Sequence, residues 1–315
     1  MSYQQQLRDK VNDQIVESLE GGVRPWRRPW RADENSGFPV NVVSKKAYRG
    51  VNPILLFLAS NRHGFASKRW GTFNQWRQLG GQVMRRPSDV PEGRWGTTIV
   101  FWSKVVGKQR DDEGDERDDG FFLMKAYTVF NVDQVEGDHL DHLRAGADDP
   151  GVGDVQEGDY RHVEEAVAAI GVKILHGGDQ AFYSPAHDHI RLPSRGRFET
   201  AADQALTLLH EGIHATEHPS RLDWSRKIPE NSYGMGELIA ELGACYLAGE
   251  FGVPVSEDLG QQAAYLAHWL AAMRADSRFI FKASGQASRA ADYILSFKRQ
   301  HETGVDQAVE VVATA

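Results

Sequence analysis

The most specific chemistry in the chain is carried by five residues, His210-Glu211-Gly212-Ile213-His214, which fit the pattern HExxH. Residues four apart on an α-helix differ by about 40° around its axis, because each turn takes about 3.6 residues. Both imidazoles can therefore reach one metal ion. Glu211 does not share their direction. It is suited to hold a metal-bound water, take its proton and pass that proton to a leaving amine. With 12 His in 315 residues, the pattern would arise by accident in roughly 3 of 100 shuffled chains. The flanks also read as a helix: Thr200 can cap it with Asp203 in the reciprocal position, and Ala205, Leu206, Leu208, Leu209 and Ile213 supply buried faces. Gly212 costs up to ~1 kcal/mol relative to Ala and makes room for another backbone.

A catalytic zinc site usually takes three protein ligands and leaves one position open. Glu237 and Glu241 share one face of a later helical segment, GELIAELGA. Two carboxylates on a mostly apolar helix are costly to bury unpaired, and a metal with its histidines would compensate them. Glu237 is the expected ligand and Glu241 the acceptor that orients an imidazole N–H, or the two exchange roles. His218 competes as third ligand, but the metzincin pattern needs its histidine six residues after the second, with an intervening glycine. His187 and His189 are too loosely placed to define a site. Tyr183, in a strand-like segment before the helix, is a candidate oxyanion donor.

A second chemistry is suggested near the start, where aromatics alternate with cations. Trp26, Arg27, Arg28, Trp30 and Arg31 form one cluster; Lys45, Lys46, Tyr48 and Arg49 a second; Lys68, Arg69, Trp70, Phe73, Trp76 and Arg77 a third. Aromatic faces stack on unpaired bases while Arg and Lys follow the phosphates. The expected DNA-facing residues are Trp26, Arg27, Arg28, Trp30, Lys46, Tyr48, Arg49, Lys68, Trp70 and Trp76. The competing reading of any one tryptophan is that it fills a core. Charge favours the polyanion. Residues 1–110 hold 19 Lys+Arg and 8 Asp+Glu, a balance of +11, while the remainder hold 17 and 36, a balance of −19.

Around these residues the chain reads as an ordinary globular protein, 41% hydrophobic and 25% charged. No apolar run approaches the ~18 residues of a membrane span. The start, MSYQQQLRDK, lacks a signal-peptide core, and Cys245 is the only cysteine. A secreted disulfide scaffold, a CxxC redox enzyme and a membrane protein are therefore set aside, and a cytoplasmic setting is expected.

The elements that must position the two chemistries follow from periodicity. Leu7, Val11, Ile15 and Leu19 stripe a first helix. A turn followed by a helix with Pro53 near its start is expected over 44–58, and a short helix after Thr72. Strands are expected at 97–102 and 121–129, joined by a hairpin loop over 111–120, where seven of ten residues are acidic. Polar, Asp- and Gly-rich residues 141–158 read as a linker. Beyond it come a helix at 161–170, strands near 173–175, 181–184 and 189–192, and helices at 200–217, 234–251, 258–275 and 284–299.

Both halves resemble the ArdC-type antirestriction proteins of conjugative plasmids and phages. In front, PWRRPW, KAYRGVNPILL, RWGTFNQWRQLGGQV, TTIVFW and VFNVDQV resemble their N-terminal single-stranded-DNA-binding domain, also found on TraC-type primases. Behind, GGDQAFYSPAHDHIRLP, LLHEGIHATEHPSRLD, GELIAELGACYLAGEFGV and AAYLAHWLAAMRADSRFIFKASGQASRAADYIL resemble the zincin-like metallopeptidase domain of polyvalent proteins. The resemblance implies metal binding by His210, His214 and Glu237, Glu211 as catalytic acid/base, and single-stranded-DNA binding with little sequence preference. Gly236 departs from it, standing where an acidic residue is expected, and the acidic loop 111–120 is an addition. The expected fold is α+β in two domains, 1–140 and 159–315, the second zincin-like. The expected cofactor is one divalent ion, zinc first and manganese as the alternative. The expected partners are single-stranded DNA and a protein substrate for the peptidase-like site, with no membrane and with the oligomeric state left open. The implied role is protection of incoming plasmid or phage DNA.

Overall fold

A computed structural model describes residues 2–24, 26, 35, 37–105, 108–110, 116–118, 121–144, 160–224, 233–255 and 263–313. The chain forms two compact units. The first comprises Met1–Pro25 and Pro39–Ala145, the second Trp26–Phe38 and Gly146–Ala315.

The first unit opens with helix α1 (Tyr3–Glu20), whose N-cap Ser2 accepts from the Gln5 N–H. Its apolar stripe Leu7, Val11, Ile15 and Leu19 is buried. Then come β1 (Val40–Asn41), α2 (Asn52–His63), β2 (Arg69–Thr72), α3 (Phe73–Gln78), β3 (Gln82–Val83), β4 (Thr97–Val105), β5 (Lys108–Arg110), β6 (Glu116–Asp118), β7 (Phe121–Asn131) and β8 (Val135–Glu136). Pro53 sits in the first turn of α2, where its missing N–H costs nothing, and Gly64 ends the helix at φ 72°. The main sheet runs β1-β2-β7-β4. The first pair is parallel, and the β4–β7 ladder is antiparallel from Thr97↔Val129 to Val105↔Phe121. Buried Asn52 fastens α2 to that ladder, donating to the Val100 carbonyl and accepting the Val100 N–H, both at 2.8 Å.

The turn and following helix expected over 44–58 are both present: Asn41 Oδ1 accepts the N–H groups of Val43 and Ser44 in an Asx turn, and the helix starts at Asn52. One local expectation shifts. Residues 138–143, placed partly in the linker by their polar composition, form a 3-10 turn that buries Leu140 and Leu143 in the first unit.

The second unit contains α4 (Arg161–Ala168), β9 (Lys173–His176), β10 (Phe182–Ser184), β11 (His189–Leu192), α5 (Ala201–Ala215), α6 (Tyr233–Phe251), α7 (Ala263–Ala275) and α8 (Phe279–Ala313). Its sheet runs β10-β11-β9, an antiparallel hairpin plus one parallel strand. Helix α6 packs against both α5 and α8. It is apolar nearly all round, with Leu238, Ile239, Leu242, Cys245, Tyr246 and Leu247 buried, as a central helix of a bundle must be. The fold is thus α+β in two domains, the second dominated by helices. No helix among the described residues is long and apolar enough to cross a membrane.

Candidate metal centre

Helix α5 begins with the capping box its sequence announces. Thr200 accepts from the Asp203 N–H, and Asp203 accepts from the Thr200 N–H. This start sets the helical phase that places His210 and His214 one turn apart, their ring centroids separated by 5.0 Å. Leu208, Leu209 and Ile213 bury the other faces. Gly212 does make room, but for a side chain rather than a backbone: a Cβ there would lie 3.1 Å from Val167 Cγ2 on α4.

The third member comes from α6. Gly243 lets this helix cross α5 closely, since a Cβ at that position would lie 2.6 Å from Ile213 Cδ1. Glu237, about 9 Å back along α6 at ~1.5 Å per residue, then reaches both histidines. His210 Nε2 lies 3.6 Å from Glu237 Oε2, and His214 Nε2 lies 3.6 Å from Glu237 Oε1. One ligand atom from each of the three residues falls within 4.8 Å of the others. The side chains are 17%, 17% and 14% exposed, so all three are largely sheltered from solvent.

The donor set fits a divalent cation. Bonds of ~2.0–2.1 Å in tetrahedral geometry put neighbouring ligand atoms ~3.4 Å apart. A gap of 3.6 Å is long for a hydrogen bond but matches that spacing. Electrostatics agree. Burial alone would raise the Glu237 carboxyl, but the two imidazoles outweigh it and hold it down at about 2. Burial alone would lower His214; Glu237, Glu211 and Glu217 together raise it. Glu211 is buried beside these groups. Glu217 was missed in the sequence. Burial raises its carboxyl; His214 opposes, and the charges of Glu237 and Glu211 add to the rise. Its spacing of three residues after His214 was the available signal.

Two of the expected residues have other partners. Glu241 is 2% exposed, and its Oε1 accepts the Trp26 indole N–H at 3.3 Å. His210 Nδ1, which it was expected to orient, is buried with no hydrogen-bond partner among the described residues. Tyr183 cannot supply a free oxyanion donor. Its hydroxyl donates to Asp188 Oδ1 at 3.0 Å and accepts from Arg221. Burial first, then Asp188, pushes this phenol up to about 12. Arg221 grips Asp188 with both terminal nitrogens and donates to the Ala215 carbonyl, tying the β10–β11 hairpin to the end of α5. His218 turns away to Ser220, at 2.7 Å. His187 and His189 stay in the hairpin, with ring centroids 5.9 Å apart.

The expected DNA-facing residues divide differently. Trp26, Trp70 and Trp76 are fully buried and Tyr48 is 5% exposed, so none of the four offers a free face to a base. Trp26 packs edge-on against Trp269 in the second unit. Trp70 lies in a core cluster with Leu56, Phe65, Ile99 and Val129. The Trp76 indole donates to the Phe130 carbonyl at 3.0 Å. Small α+β cores are filled by their largest rings, and that demand outweighs surface display here. Lys46 is exposed, while Arg49 and Lys68 are half-buried. Arg27, Arg28 and Trp30 lie outside the described residues.

Comparison with known proteins follows the same division. The family model described as the N-terminal domain of anti-restriction factor ArdC matches residues 5–130, and that of a zincin-like metallopeptidase matches residues 161–286. The protein y4eC of Sinorhizobium fredii is 34% identical over 293 residues, covering 91% of this chain and 90% of its own. DNA primase TraC of Escherichia coli is 34% identical over 96% of this chain, which spans only 28% of the primase. The crystal structure of antirestriction protein ArdC from the R388 plasmid, metal-free, is 34% identical with a TM-score of 0.74, covering 93% of this chain and 98% of that one. Its Mn(II)-bound form gives a TM-score of 0.70 over 92% and 97%. Matched in both units and over nearly its whole length, the chain belongs to the ArdC antirestriction family, with an ArdC N-terminal domain followed by a zincin-like metallopeptidase domain.

Proposed function

We propose that this protein guards incoming plasmid or phage DNA in the cytoplasm, gripping single-stranded DNA with its first unit and holding one divalent cation in a peptidase-like site of its second. The observation that carries the metal half is the convergence of His210, His214 and Glu237. The ligand set suits zinc, and the Mn(II)-bound form of the R388 relative supports manganese as the alternative. The DNA half rests on the family and on the basic balance of residues 1–110.

The cation would supply Lewis acidity toward a carbonyl and a lowered pKa for water. The residues divide the remaining work. His210 and His214 donate neutral nitrogen, and Glu237 brings the negative charge. Glu211, next to His210 but directed elsewhere on the helix, takes a proton from water and returns it to the leaving amine. A second reading keeps the cation as a silent structural ion and leaves protection to DNA binding. It is favoured by the engagement of Tyr183 with Asp188 and Arg221.

Glu211→Ala separates the two. The catalytic reading expects cleavage of a denatured protein substrate by the wild type, lost in the variant while the metal content stays the same. No cleavage by the metal-loaded wild type would leave the silent-ion reading standing.

A further inference from the structure

Strand alternation places Ile99, Phe101, Lys125 and Tyr127 on one face of the main sheet, since Ile99 pairs with Tyr127 and Phe101 with Lys125 across the β4–β7 ladder. That face is covered as far as Ile99, which is 2% exposed and shares a core cluster with Leu56 and Ala59 of α2. Beyond Ile99 the face is open. Phe101 is 47% exposed and Tyr127 45%, and their rings meet edge-on at 5.7 Å. Lys125 is exposed directly across from Phe101, where cross-strand Cβ atoms lie ~4.5–5.5 Å apart. We propose that single-stranded DNA lies on this open end of the sheet, its bases stacking on Phe101 and Tyr127 and a phosphate meeting Lys125. This rests on the reading that the first unit holds single-stranded DNA.

The other exposed aromatics of this unit are placed differently. Trp102 belongs to the opposite face, where its neighbours Val100 and Met124 are buried. Tyr3 and Phe73 each stand at the start of a helix, α1 and α3. Among the described residues of the first unit, Phe101 and Tyr127 are the only two exposed aromatics in ring contact. Their strands are fixed by a ladder of nine paired residues, so the two rings and the lysine are held in register before any ligand arrives.

Backbone edges and charge identify the occupant. Asn52 takes both backbone polar groups of Val100 on the β4 edge, and Gln4 takes both of Met124 on the β7 edge, at 2.8 Å. A peptide strand has no free ladder to join at these points, so the face is left to a ligand that stacks. A sheet with exposed rings on neighbouring strands holds unpaired bases in that way. From Asn35 to Ser88 the unit holds nine Lys+Arg and not one Asp or Glu, a charge that draws phosphate. The acidic segment 111–120 is remote. Strand β4 runs four residues past Phe101 before ending at Val105, which is ~13 Å at ~3.3 Å per residue. That already exceeds the Debye length of ~8 Å at physiological salt.

Fluorescence anisotropy of a labelled oligothymidylate with the full-length chain tests this across a salt series. Phe101→Ala and Tyr127→Ala should each bind about 5- to 100-fold more weakly. Phe101→Trp and Tyr127→Trp, which keep a stacking face, should stay within about twofold of wild type. Lys125→Gln should flatten the log–log salt slope by roughly 0.7. Tyr3→Ala, Phe73→Ala and Trp102→Ala should bind within about twofold of wild type, since none of those rings lies on the proposed face. Wild-type affinity in both Phe101→Ala and Tyr127→Ala, an unchanged slope in Lys125→Gln, or a larger loss in any of the last three variants overturns the sheet face as the site while leaving DNA binding intact. Failure of the wild type itself to bind overturns the underlying reading.

Discussion

Gly243 and Ile213 make a close crossing of α6 on α5 beside the candidate metal centre. A Cβ on Gly243 would come within 2.6 Å of Ile213 Cδ1 and 2.7 Å of its Cγ1. Ile213 lies inside the HExxH segment and Gly243 lies six residues after Glu237, so this contact sets how far the carboxylate stands from the two imidazoles.

The crossing is therefore sensitive to one methyl group. Gly243→Ala gains helix propensity of about 1 kcal/mol, but the overpacked contact costs about 1–3 kcal/mol. The variant should melt lower than wild type and bind metal more weakly. Adding Ile213→Ala removes the clash, so the double variant should recover metal affinity relative to Gly243→Ala alone. Parallel calorimetric titrations of the four proteins check the cycle. Equal affinities throughout would show that the crossing does not set the site.

Trp26 and Glu241 give a second case. Glu241 is a buried carboxylate whose Oε1 takes its hydrogen bond from the indole. Trp26→Phe keeps most of the ring but removes that donor, which should cost about 1–3 kcal/mol. Thermal denaturation should show it at about 2–4 °C per kcal/mol. Metal stoichiometry should stay at the wild-type value, because the bond removed is the indole's to Glu241 and not one made by His210, His214 or Glu237. Loss of metal in this variant would restore Glu241 to the role of orienting an imidazole.

Asp188 provides a pH signature. Burial would raise its carboxyl, but hydrogen bonds from Arg221 and Tyr183 outweigh it and hold it below the usual range. A depressed carboxyl stabilises the fold above its unfolded value of ~3.9, and that contribution is lost as pH falls through the folded value. Asp188→Asn keeps a residue that tolerates the φ of 46° but removes the charge. It should melt below wild type at pH 7, with the gap closing as pH falls below about 4. Melting curves across that window decide; a gap constant with pH would contradict the ion pair's role.

The convergence of His210, His214 and Glu237 could be read ahead of the structure because its signals are local. Thr200 and Asp203 set the helix start, and a four-residue spacing puts His210 and His214 on one side of it. Glu237 stood out as a carboxylate on an apolar helix. What could not be read is what depends on distant partners. Trp26 finds Glu241 and Trp269 far along the chain, and Trp70 and Trp76 enter cores whose other walls come from β4, β7 and β8. A tryptophan beside arginines looks alike whether its ring faces a base or a core. Arg221 likewise gives no local sign that it will hold Tyr183 and Asp188.

The central claim is that one cation sits between His210, His214 and Glu237. Metal analysis of purified wild type, His210→Ala/His214→Ala and Glu237→Ala tests it most directly. One divalent ion per chain is expected in the wild type and none in the histidine pair. Glu237→Ala should bind at least ~100-fold more weakly, at or beyond what loss of an outer partner costs. A Glu237→Ala protein that keeps its ion at wild-type affinity would contradict the account.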